Sequence, residues 1–427
     1  MRGSGMIKAE KTRKRDIVMK LLQDINQIIA IAICLCFAYR ILYIIVRLVR
    51  KDNPHGAPVP HDYAVLIAAR NESAVIGDLL DSIHAQNYPS DHITVFVVAD
   101  NCTDDTAAIA RAHRAVVWER HDRSRIGKGY ALNFLLRNIH RVYGDRFDGY
   151  FVFDADNLLD PSYITEMNRT FSDGYPILTS YRNSKNYGDN WISAVYSLWF
   201  LSESEYLNHA RMLLGTSCMV SGTGFLFSRE VLARHGGWNC FLLTEDIEFS
   251  VRNILEGERI GYCPNAILYD EQPIRFSQSW RQRMRWAKGM LQVGAHYGLD
   301  LIRGIGRRGS FSCFDATMTV LPAVLFTLVG LACNGALLVL ALWAGQSLLY
   351  ALHSLLRAFL SGYASLFLLG ALTTLTEWQR IHTTTARKLL YTVTFPLFMM
   401  TYLPISVAAL FRRVEWKPIE HGRRRLT

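Results

Sequence analysis

The chain has 427 residues, enough for two or three domains, and half of them are hydrophobic. Its 47 Lys and Arg against 37 Asp and Glu give a net charge of +10. No block combines lysines with aromatic residues, so nucleic-acid binding is not expected. The basic residues cluster beside apolar segments, at 8–15, 47–51, 303–308, 412–413 and 423–425. This placement predicts contact with anionic lipid headgroups, and a generic solubilising charge is the alternative.

The eight cysteines show no spacing typical of disulfides or zinc sites, so we expect reduced packing residues that face a cytosol. A cleavable signal peptide is not expected either. The first apolar run begins only near Ile25, and no small-residue cleavage site follows it.

Residues 1–50 predict a basic N-terminus followed by a first transmembrane helix. Residues 1–16 are polar, and we expect them to be disordered or to lie at a membrane interface. The stretch 25–46 is apolar except for Arg40 and is long enough to span a bilayer. The Pro- and Gly-rich segment 53–60 then predicts a linker.

Residues 51–276 have the pattern of an α/β domain facing the cytoplasm. Short apolar runs alternate with stretches of helical periodicity at 74–86, 104–113 and 162–171. The apolar runs are at 64–69, 93–99, 115–118 and 150–153. We expect a parallel sheet, in which ligands collect at the carboxyl ends of the strands.

The region 277–312 predicts amphipathic interface helices, because Trp280, Met284 and Trp286 lie among Arg and Lys. A helix docked on the α/β domain is the alternative. Residues 313–412 predict transmembrane helices at 316–343, 347–376 and 389–411, since each stretch exceeds about 20 largely apolar residues.

The last apolar stretch contains Pro396 and Pro404, which predict a kink or break. Three spans after a cytosolic domain would put the basic tail 413–427 outside, whereas its charge argues for the inside. A re-entrant turn at 396–404 would reconcile the two.

The most informative stretch is 149–157, where the apolar run Tyr150–Phe153 ends in Asp154 and Asp156. Side chains at i and i+2 point the same way along an extended chain, so the two carboxylates would converge. A divalent cation that holds a diphosphate would relieve their repulsion, and hard oxygen ligands suit Mg²⁺ or Mn²⁺. A surface turn is the alternative.

Further candidates lie near other predicted strand ends. Asp100 ends the second strand and could accept a hydrogen bond from a base or ribose, or could cap the next helix. Arg70 and Glu72 follow the first strand at the same edge. Lys128, between two glycines that open a helix, could meet a phosphate, and a plain turn is the alternative.

Two later motifs supply a base and a substrate clamp. Thr244-Glu245-Asp246 offers an acidic general base, or else an N-capping threonine followed by acids. The segment from Gln282 to Trp286 combines Arg285, suited to a leaving diphosphate, with an indole that can stack on a sugar.

The order of these motifs resembles the family 2 glycosyltransferases. More narrowly, it resembles their membrane-embedded polymerising branch, which includes cellulose, chitin, hyaluronan and poly-N-acetylglucosamine synthases. The resemblance covers about residues 64–286 by motif. It implies a Rossmann-like nucleotide-sugar domain of GT-A type, inserted between transmembrane α-helices and flanked by amphipathic interface helices.

The resemblance also implies a role for each candidate. Asp100 would contact the uridine, Asp154 and Asp156 would hold the diphosphate, and Asp156 would reach a Mg²⁺ or Mn²⁺ ion. Asp246, with Glu245 beside it, would be catalytic. The implied nucleotide-binding residues are Arg70, Glu72, Asp100, Lys128, Asp154 and Arg285, and the acceptor-binding residues are Gly222, Gly224, Gln282 and Trp286. The segment 416–418 resembles a cytosolic Trp-containing segment of some members, whereas their longer gating loop has no counterpart.

The implied protein is a multi-pass enzyme of the cell membrane. It would transfer a sugar, with inversion, from a UDP-linked donor to a growing β-linked polysaccharide and export the product. A second copy, in a homo-oligomer, would complete the channel. A non-processive enzyme that makes a membrane glycolipid is one alternative. A nucleotide-sugar sensor or transporter without turnover is another.

Overall fold

The centre of the protein is an eight-stranded sheet, seen in a computed structural model that describes residues 2–52, 54–321, 329–330, 332–336, 338–339 and 348–414. The strands are β1 (Tyr63–Ala69), β2 (Ile93–Asp100), β3 (Val116–Arg120), β4 (Gly149–Phe153), β5 (Leu158–Leu159), β6 (Ile177–Ser184), β7 (Phe225–Ser228) and β8 (Ile260–Asp270). Their spatial order is β3-β2-β1-β4-β7-β6-β8-β5. The four predicted strands correspond to β1 to β4.

The sheet is mixed, so the prediction of a parallel sheet is wrong in its second half. Strands β1 to β4 pair in parallel, but β7 is antiparallel to both of its neighbours, β4 and β6. Strand β6 therefore runs in the same direction as β4, and β8 pairs with β6 in parallel. As a result, the carboxyl ends of β1, β2, β4, β6 and β8 all meet at one edge.

Helices cover both faces of this sheet. They are α2 (Ile76–His84), α3 (Thr106–Ala112), α4 (Lys128–Tyr143), α5 (Tyr163–Ser172), α6 (Trp191–Glu203), α7 (Ala210–Leu214), α8 (Arg229–Arg234) and α9 (Glu245–Glu256), with a 3₁₀ turn at Ser90–His92 and a π-helical turn at Ser204–His209. Within β1, Leu66 joins a core with Leu135 of α4, and its neighbour Ile67 joins a core with Leu79 of α2. This burial on both faces explains why the strands are continuously apolar.

The N-terminal segment is one long helix, α1 (Arg2–Val49), so residues 2–16 are helical and not disordered. Its carboxyl end packs on the α/β domain, where Tyr43 is buried and Arg47 Nε lies 2.5 Å from Glu205 Oε2. This ion pair joins α1 to the π-helical turn.

Helix α10 (Phe276–Arg308) confirms the helix predicted near 278–308. It buries Met284, Val293 and Leu301 against neighbouring elements, so one face is docked on protein, as the alternative interpretation required. Helix α11 (Phe311–Val320) follows it and packs back against α10.

The C-terminal part contains α12 (Leu348–Thr376), α13 (Thr385–Met400) and α14 (Tyr402–Phe411). The break at Thr401 confirms the predicted interruption of the last apolar stretch. Within the described residues, Phe359–Thr376 and Thr385–Phe411 are long and apolar enough to cross a membrane. The predicted Trp-containing segment 416–418 and most of the tail 413–427 lie outside the described residues.

Both ends of the α13–α14 pair form hydrogen bonds with other parts of the protein. Arg387 Nη1 donates to Gly188 O (2.9 Å) at the start of α13, and Lys288 Nζ of α10 donates to Ala409 O (3.0 Å) near the end of α14. The predicted re-entrant turn at 396–404 stays a prediction.

A glycine in the first turn of α4 allows close packing that no other residue permits. A Cβ at Gly129 would lie 2.0 Å from Cys240 O, which is a backbone atom and cannot rotate away. We expect Gly129→Ala to destabilise the fold by about 1–3 kcal/mol, measured by thermal or denaturant unfolding.

Gly306 in α10 is the matched control, because a Cβ there meets nothing within 4 Å. Gly306→Ala should be neutral or stabilise by up to about 1 kcal/mol, the usual helix preference for alanine. Equal stability of the two variants would contradict the packing argument.

Candidate active site

A cavity of about 540 Å³ opens at the sheet edge where the parallel strands end. Every predicted site residue except Gly224 lines it, namely Arg70, Glu72, Asp100, Lys128, Asp154, Asp156, Gly222, Glu245, Asp246, Gln282, Arg285 and Trp286. Residues that were 200 positions apart in the chain therefore share one space.

The direction of the strands explains this convergence. Asp100 is the last residue of β2, Asp154 follows β4 directly, and Asp270 is the last residue of β8. Gly222 precedes β7, whose antiparallel direction brings its amino end to the same edge. Ligand sites in open α/β sheets lie at this edge for the same reason.

Gly224 has a packing role and does not reach the cavity. Its φ is +66°, and a Cβ there would lie 1.9 Å from Leu268 Cδ2. The prediction that it contacts an acceptor is therefore corrected: glycine is needed here for close contact with β8.

Lys128 ties three segments together. Its Nζ lies 2.5 Å from Asp154 Oδ1 and donates to Gly222 O (2.7 Å). The lysine predicted as a phosphate contact thus neutralises one of the two acids of the Asp154-Ala155-Asp156 motif. Asp154 is held further through its backbone N–H, which donates to Thr223 Oγ1 (2.9 Å).

Asp156 lies deeper, with 6% of its surface exposed, and shares a hydrogen bond with Asp270. Burial raises the pKa of Asp156 well above its ordinary value, and the carboxylates of Asp270 and Asp154 raise it further. Asp270 is held by Arg182, whose Nε donates to Asp270 Oδ2 at 2.9 Å. Arg182 also donates to Ser221 O (2.9 Å), so it bridges the acids and the glycine-containing loop.

This arrangement fits a divalent cation, because crowded buried carboxylates are stabilised by a nearby positive charge. The described residues contain no group of three or more His, Cys, Asp or Glu suited to a metal. The protein side of such a site would therefore be small, with Asp156 as its main ligand and substrate oxygens as the others, an arrangement that suits Mg²⁺.

Asp100, at the end of β2, and Glu72, shortly after β1, both have raised pKa values. Arg120 Nη1 donates to Asp100 Oδ1 (2.6 Å), and burial raises the pKa of Asp100 despite this partner. Burial, Asp154 and Asp104 raise the pKa of Glu72 to about 8. Glu72 is therefore protonated at neutral pH and can donate a hydrogen bond as well as accept one.

The predicted base lies in the first turn of α9, and Glu248 one turn later fixes the loop before it. Glu248 Oε2 accepts from the backbone N–H of Phe241 (2.7 Å) and Leu242 (2.9 Å), and Tyr297 OH donates to Oε1 (3.0 Å). Thr244 occupies the N-cap position but its side chain makes no capping bond.

Burial raises the pKa of Glu245 to about 7, and Asp246 adds to this, against the opposing effects of Lys128 and Arg285. Burial also raises the pKa of Asp246, although the Ile247 N–H and Arg285 oppose it. A carboxylate with a raised pKa is a stronger base when ionised. Asp246 faces Gly222, where an added Cβ would lie 3.8 Å from Asp246 Oδ2.

Helix α10 brings the last motif to the cavity. Trp286 packs edge-on against Tyr196 and Phe200 of α6, with ring centroids 5.9 and 6.1 Å apart. Arg285 Nη1 donates to Leu243 O (2.8 Å). Gln282 Oε1 is buried and accepts no hydrogen bond from the described residues, so it is available to a ligand.

Sequence reasoning missed several residues of the cavity wall, among them Arg182, Asp270, Arg412 and Arg413. Asp270 carried a usable signal, because an acid directly after an apolar strand also marked Asp100 and Asp154. Arg412 and Arg413 were interpreted only as headgroup contacts, since no local pattern connects them to the sheet edge.

Comparison with known proteins gives the family. The model described as "Glycosyltransferase like family 2" matches residues 60–289, more than half of the chain. The protein therefore belongs to this family, and the resemblance inferred from the motifs is confirmed at that level.

Two curated relatives are similar over the same domain. A β-monoglucosyldiacylglycerol synthase of Synechocystis sp. is 28% identical over 258 residues, which are 57% of this chain and 52% of that protein. A poly-β-1,6-N-acetyl-D-glucosamine synthase of Staphylococcus aureus is 26% identical over 234 residues, 53% of this chain and 54% of that protein. The chain thus spans about half the length of these relatives.

A mannosyltransferase of Pyrobaculum calidifontis, solved in complex with GDP-Man and Mn²⁺, has a similar structure with a TM-score of 0.55. The match covers 90% of this chain and 98% of that chain at 21% identity. At this identity it shows the fold alone, and it confirms the α/β architecture of GT-A type.

The buried Glu245 makes stability depend on pH. Because its folded pKa is about 7 and its ordinary value is 4.5, the folded state holds the proton more tightly. The resulting stabilisation is complete below about pH 4.5 and is lost as the pH rises through about 7. We expect Glu245→Gln to raise the unfolding temperature at pH 8 by at least about 2–4 °C, with little change at pH 4.5.

Glu230 provides the opposite case: burial raises its pKa, but hydrogen bonds from Ser228 and its own backbone N–H, with the charges of Arg229 and Arg234, together outweigh burial and lower the pKa. Glu230→Gln should therefore not stabilise the protein at pH 8. If the wild type were as stable as Glu245→Gln at pH 8, the negative charge on Glu245 would not destabilise the folded state.

Proposed function

We propose that the protein is a membrane-bound, inverting glycosyltransferase that transfers a sugar from a nucleotide-sugar donor, UDP-linked, to an acceptor hydroxyl. The observation that carries this proposal is the presence of Asp246, Asp156 and Arg285 around one cavity. These residues supply the base, the main cation ligand and a guanidinium for the leaving diphosphate. The family of the chain and the activities of its relatives support the same reaction.

In this proposal Asp246 accepts the proton of the acceptor hydroxyl, whose oxygen attacks the anomeric carbon from the face opposite the diphosphate. An α-linked donor then gives a β-linked product. Lys128 and Arg285 lie on the donor side, where their positive charges stabilise the departing diphosphate. Trp286 and the unpartnered Gln282 Oε1 position sugar groups.

A divalent cation, Mg²⁺ or Mn²⁺, would be held by Asp156, with Asp154 beside it, and would neutralise charge on the diphosphate. The mannosyltransferase of similar fold was solved with Mn²⁺, which supports this choice. Asp100, Arg70 and Glu72 then border the end of the cavity assigned to the nucleoside, where the neutral Glu72 carboxyl can donate to a base carbonyl.

We assign the enzyme to the cell membrane, with the catalytic domain facing the cytoplasm. Phe359–Thr376 and Thr385–Phe411 support membrane association. The large exposed side chains of Leu389, Val393 and Leu397 on α13 give that helix an apolar face suited to lipid.

The acceptor is a growing β-linked polysaccharide in our first proposal, as in the poly-N-acetylglucosamine synthase relative. The second candidate is a lipid acceptor, which gives a glycolipid. It is supported by the monoglucosyldiacylglycerol synthase relative and by the position of the cavity beside the apolar C-terminal helices.

Replacing the base tests turnover directly. We expect Asp246→Asn to lower sugar transfer by about 10²- to 10⁴-fold, the range for loss of a general base, because the amide cannot accept the proton. Binding of UDP should stay near the wild-type affinity. The measurements are release of UDP from UDP-sugar in the presence of Mg²⁺ or Mn²⁺, and calorimetric titration with UDP.

Asp91→Asn, at an exposed acid in the 3₁₀ turn, should leave transfer unchanged. Substantial turnover by Asp246→Asn would refute the assignment of the base. A wild type that binds UDP and never releases it from a donor would favour a sensor or transporter.

The size of the product separates the two acceptors. Membranes supplied with radiolabelled UDP-glucose, UDP-N-acetylglucosamine or UDP-galactose should yield long chains that stay at the origin of a thin-layer plate and are cleaved by β-specific hydrolases. A single organic-soluble glycolipid band with no long chains would refute polymerisation and support the lipid acceptor.

A further inference from the structure

Three arginines at the mouth of the cavity have no function in the reaction described above. Arg281 of α10 and Arg412 and Arg413, which follow α14, all line the cavity and are exposed. We call these three residues the arginine cluster. Within the described part of the chain, none of their guanidinium groups makes a hydrogen bond or ion pair. Three like charges thus line one cavity, and none of them is bonded to an acid within the described residues.

The cluster is held in place by buried contacts between α10 and the C-terminal helices. Arg283, which is fully buried, donates from Nη1 to Phe398 O (3.2 Å) and to Thr401 Oγ1 (2.5 Å) at the break between α13 and α14. Its guanidinium also stacks 3.9 Å above the Phe398 ring. Arg283 therefore fixes the direction in which α14 leaves the break.

The far end of α14 is fixed as well. Lys288 Nζ donates to Ala409 O, and Met284 and Ala287 of α10 form a small core with Ile405 and Ala409. Because the Ala409 contacts lie within one turn of Arg412, the last helix holds Arg412 and Arg413 at the wall of the cavity that Arg281 also lines. The cluster is a property of packed elements and not of a loose tail.

The surroundings of the cluster are apolar and exposed. Phe411, directly before Arg412, is 84% exposed, Leu403 on the same helix is 44% exposed, and Phe276 at the start of α10 is 39% exposed. Exposed apolar side chains next to arginines are typical of the boundary between lipid tails and headgroups. The cluster therefore lies where a headgroup phosphate would be.

The donor diphosphate already has positively charged partners, so a second anion fits the arginine cluster better than the donor does. Lys128 and Arg285 lie on the donor side, and a cation at Asp156 would add two positive charges there. The guanidinium groups of Arg281, Arg412 and Arg413 have no role toward that diphosphate in the reaction proposed above, and none is bonded to an acid within the described residues. Arginine binds phosphate with paired, charge-assisted hydrogen bonds, and its planar group suits this ligand better than lysine does.

We propose that the arginine cluster binds the phosphate group of an anionic membrane lipid at the entrance of the catalytic cavity. This site rests on the proposed function, because it assumes that the cavity opens at a bilayer. It places a phospholipid headgroup beside the acceptor side of the enzyme, so a lipid with a phosphate is either an activator or part of the acceptor itself. A diphosphate of the donor is the other source of the same chemistry.

The test uses the full-length protein in a neutral detergent and the double variant Arg412→Gln/Arg413→Gln. Binding of short-chain phosphatidylglycerol, short-chain phosphatidylcholine, inorganic phosphate and UDP is measured by calorimetry. One basic side chain near an anionic lipid surface changes affinity about fivefold, so the double variant should bind phosphatidylglycerol roughly 25-fold more weakly. Its affinity for UDP should be unchanged, and wild type should prefer phosphatidylglycerol to phosphatidylcholine and to inorganic phosphate.

The matched control is Arg137→Gln/Arg141→Gln, which removes two exposed charges from α4 away from the cavity. This control should bind phosphatidylglycerol within about twofold of wild type, well below the change expected for two charges in contact with the lipid. An equal loss in both double variants would show diffuse surface attraction and overturn the proposal.

Two other results would also overturn it. Loss of UDP affinity in Arg412→Gln/Arg413→Gln would show that the cluster binds the donor. Equal affinity of wild type for inorganic phosphate and phosphatidylglycerol would show that the site does not recognise the lipid. Unfolding temperatures of all variants establish that each one folds. Because lipid binding needs no turnover, its failure is distinguishable from a failure of sugar transfer, which is measured separately on wild type.

Discussion

The structure depends on a crowded group of carboxylates at one edge of a buried sheet, and on the cations placed between them. Acids this close repel one another, and burial adds to the cost of their charge. Lys128 meets Asp154 and Arg182 meets Asp270, and each cation comes from a different element than its acid. The first pair therefore joins α4 to the loop after β4, and the second joins β6 to β8. Asp156, between the two neutralised acids, has a strongly raised pKa, and this is where a divalent cation would have the largest effect.

Helix α10 contacts both the cavity and the C-terminal helices, because residues next to each other in sequence lie on different faces of a helix. Gln282 and Arg285, three residues apart, face the cavity, whereas Arg283 points to the break at Thr401. A movement of the C-terminal helices would therefore be transmitted through Arg283 to the substrate-facing residues of the same helix. The C-terminal helices and the cavity therefore both contact the same short segment of α10.

The antiparallel strand β7 has a similar organising effect within the sheet. If the sheet were wholly parallel, the loop before this strand would lie at the opposite edge, away from the carboxylates. Its reversed direction brings Gly222 next to Asp246 and lets Arg182 reach Ser221 O. Because of this one reversal in strand direction, Gly222 lines the same cavity as Asp246 and Asp156.

The sequence alone determined the first four strands, the helix at 278–308, the interruption near Pro396–Pro404 and twelve of the thirteen predicted site residues that the cavity wall could contain. These follow from local patterns, since apolar runs, helix signals and strand-terminal acids act within a few residues. Only the tertiary structure decided the mixed sheet, the pairing of Lys128 with Asp154, the packing role of Gly224 and the position of Arg412 at the cavity. The physical reason is that strand direction, charge pairing and close contact depend on residues far apart in the chain, and hydrophobic periodicity carries no information about which distant partner each one meets.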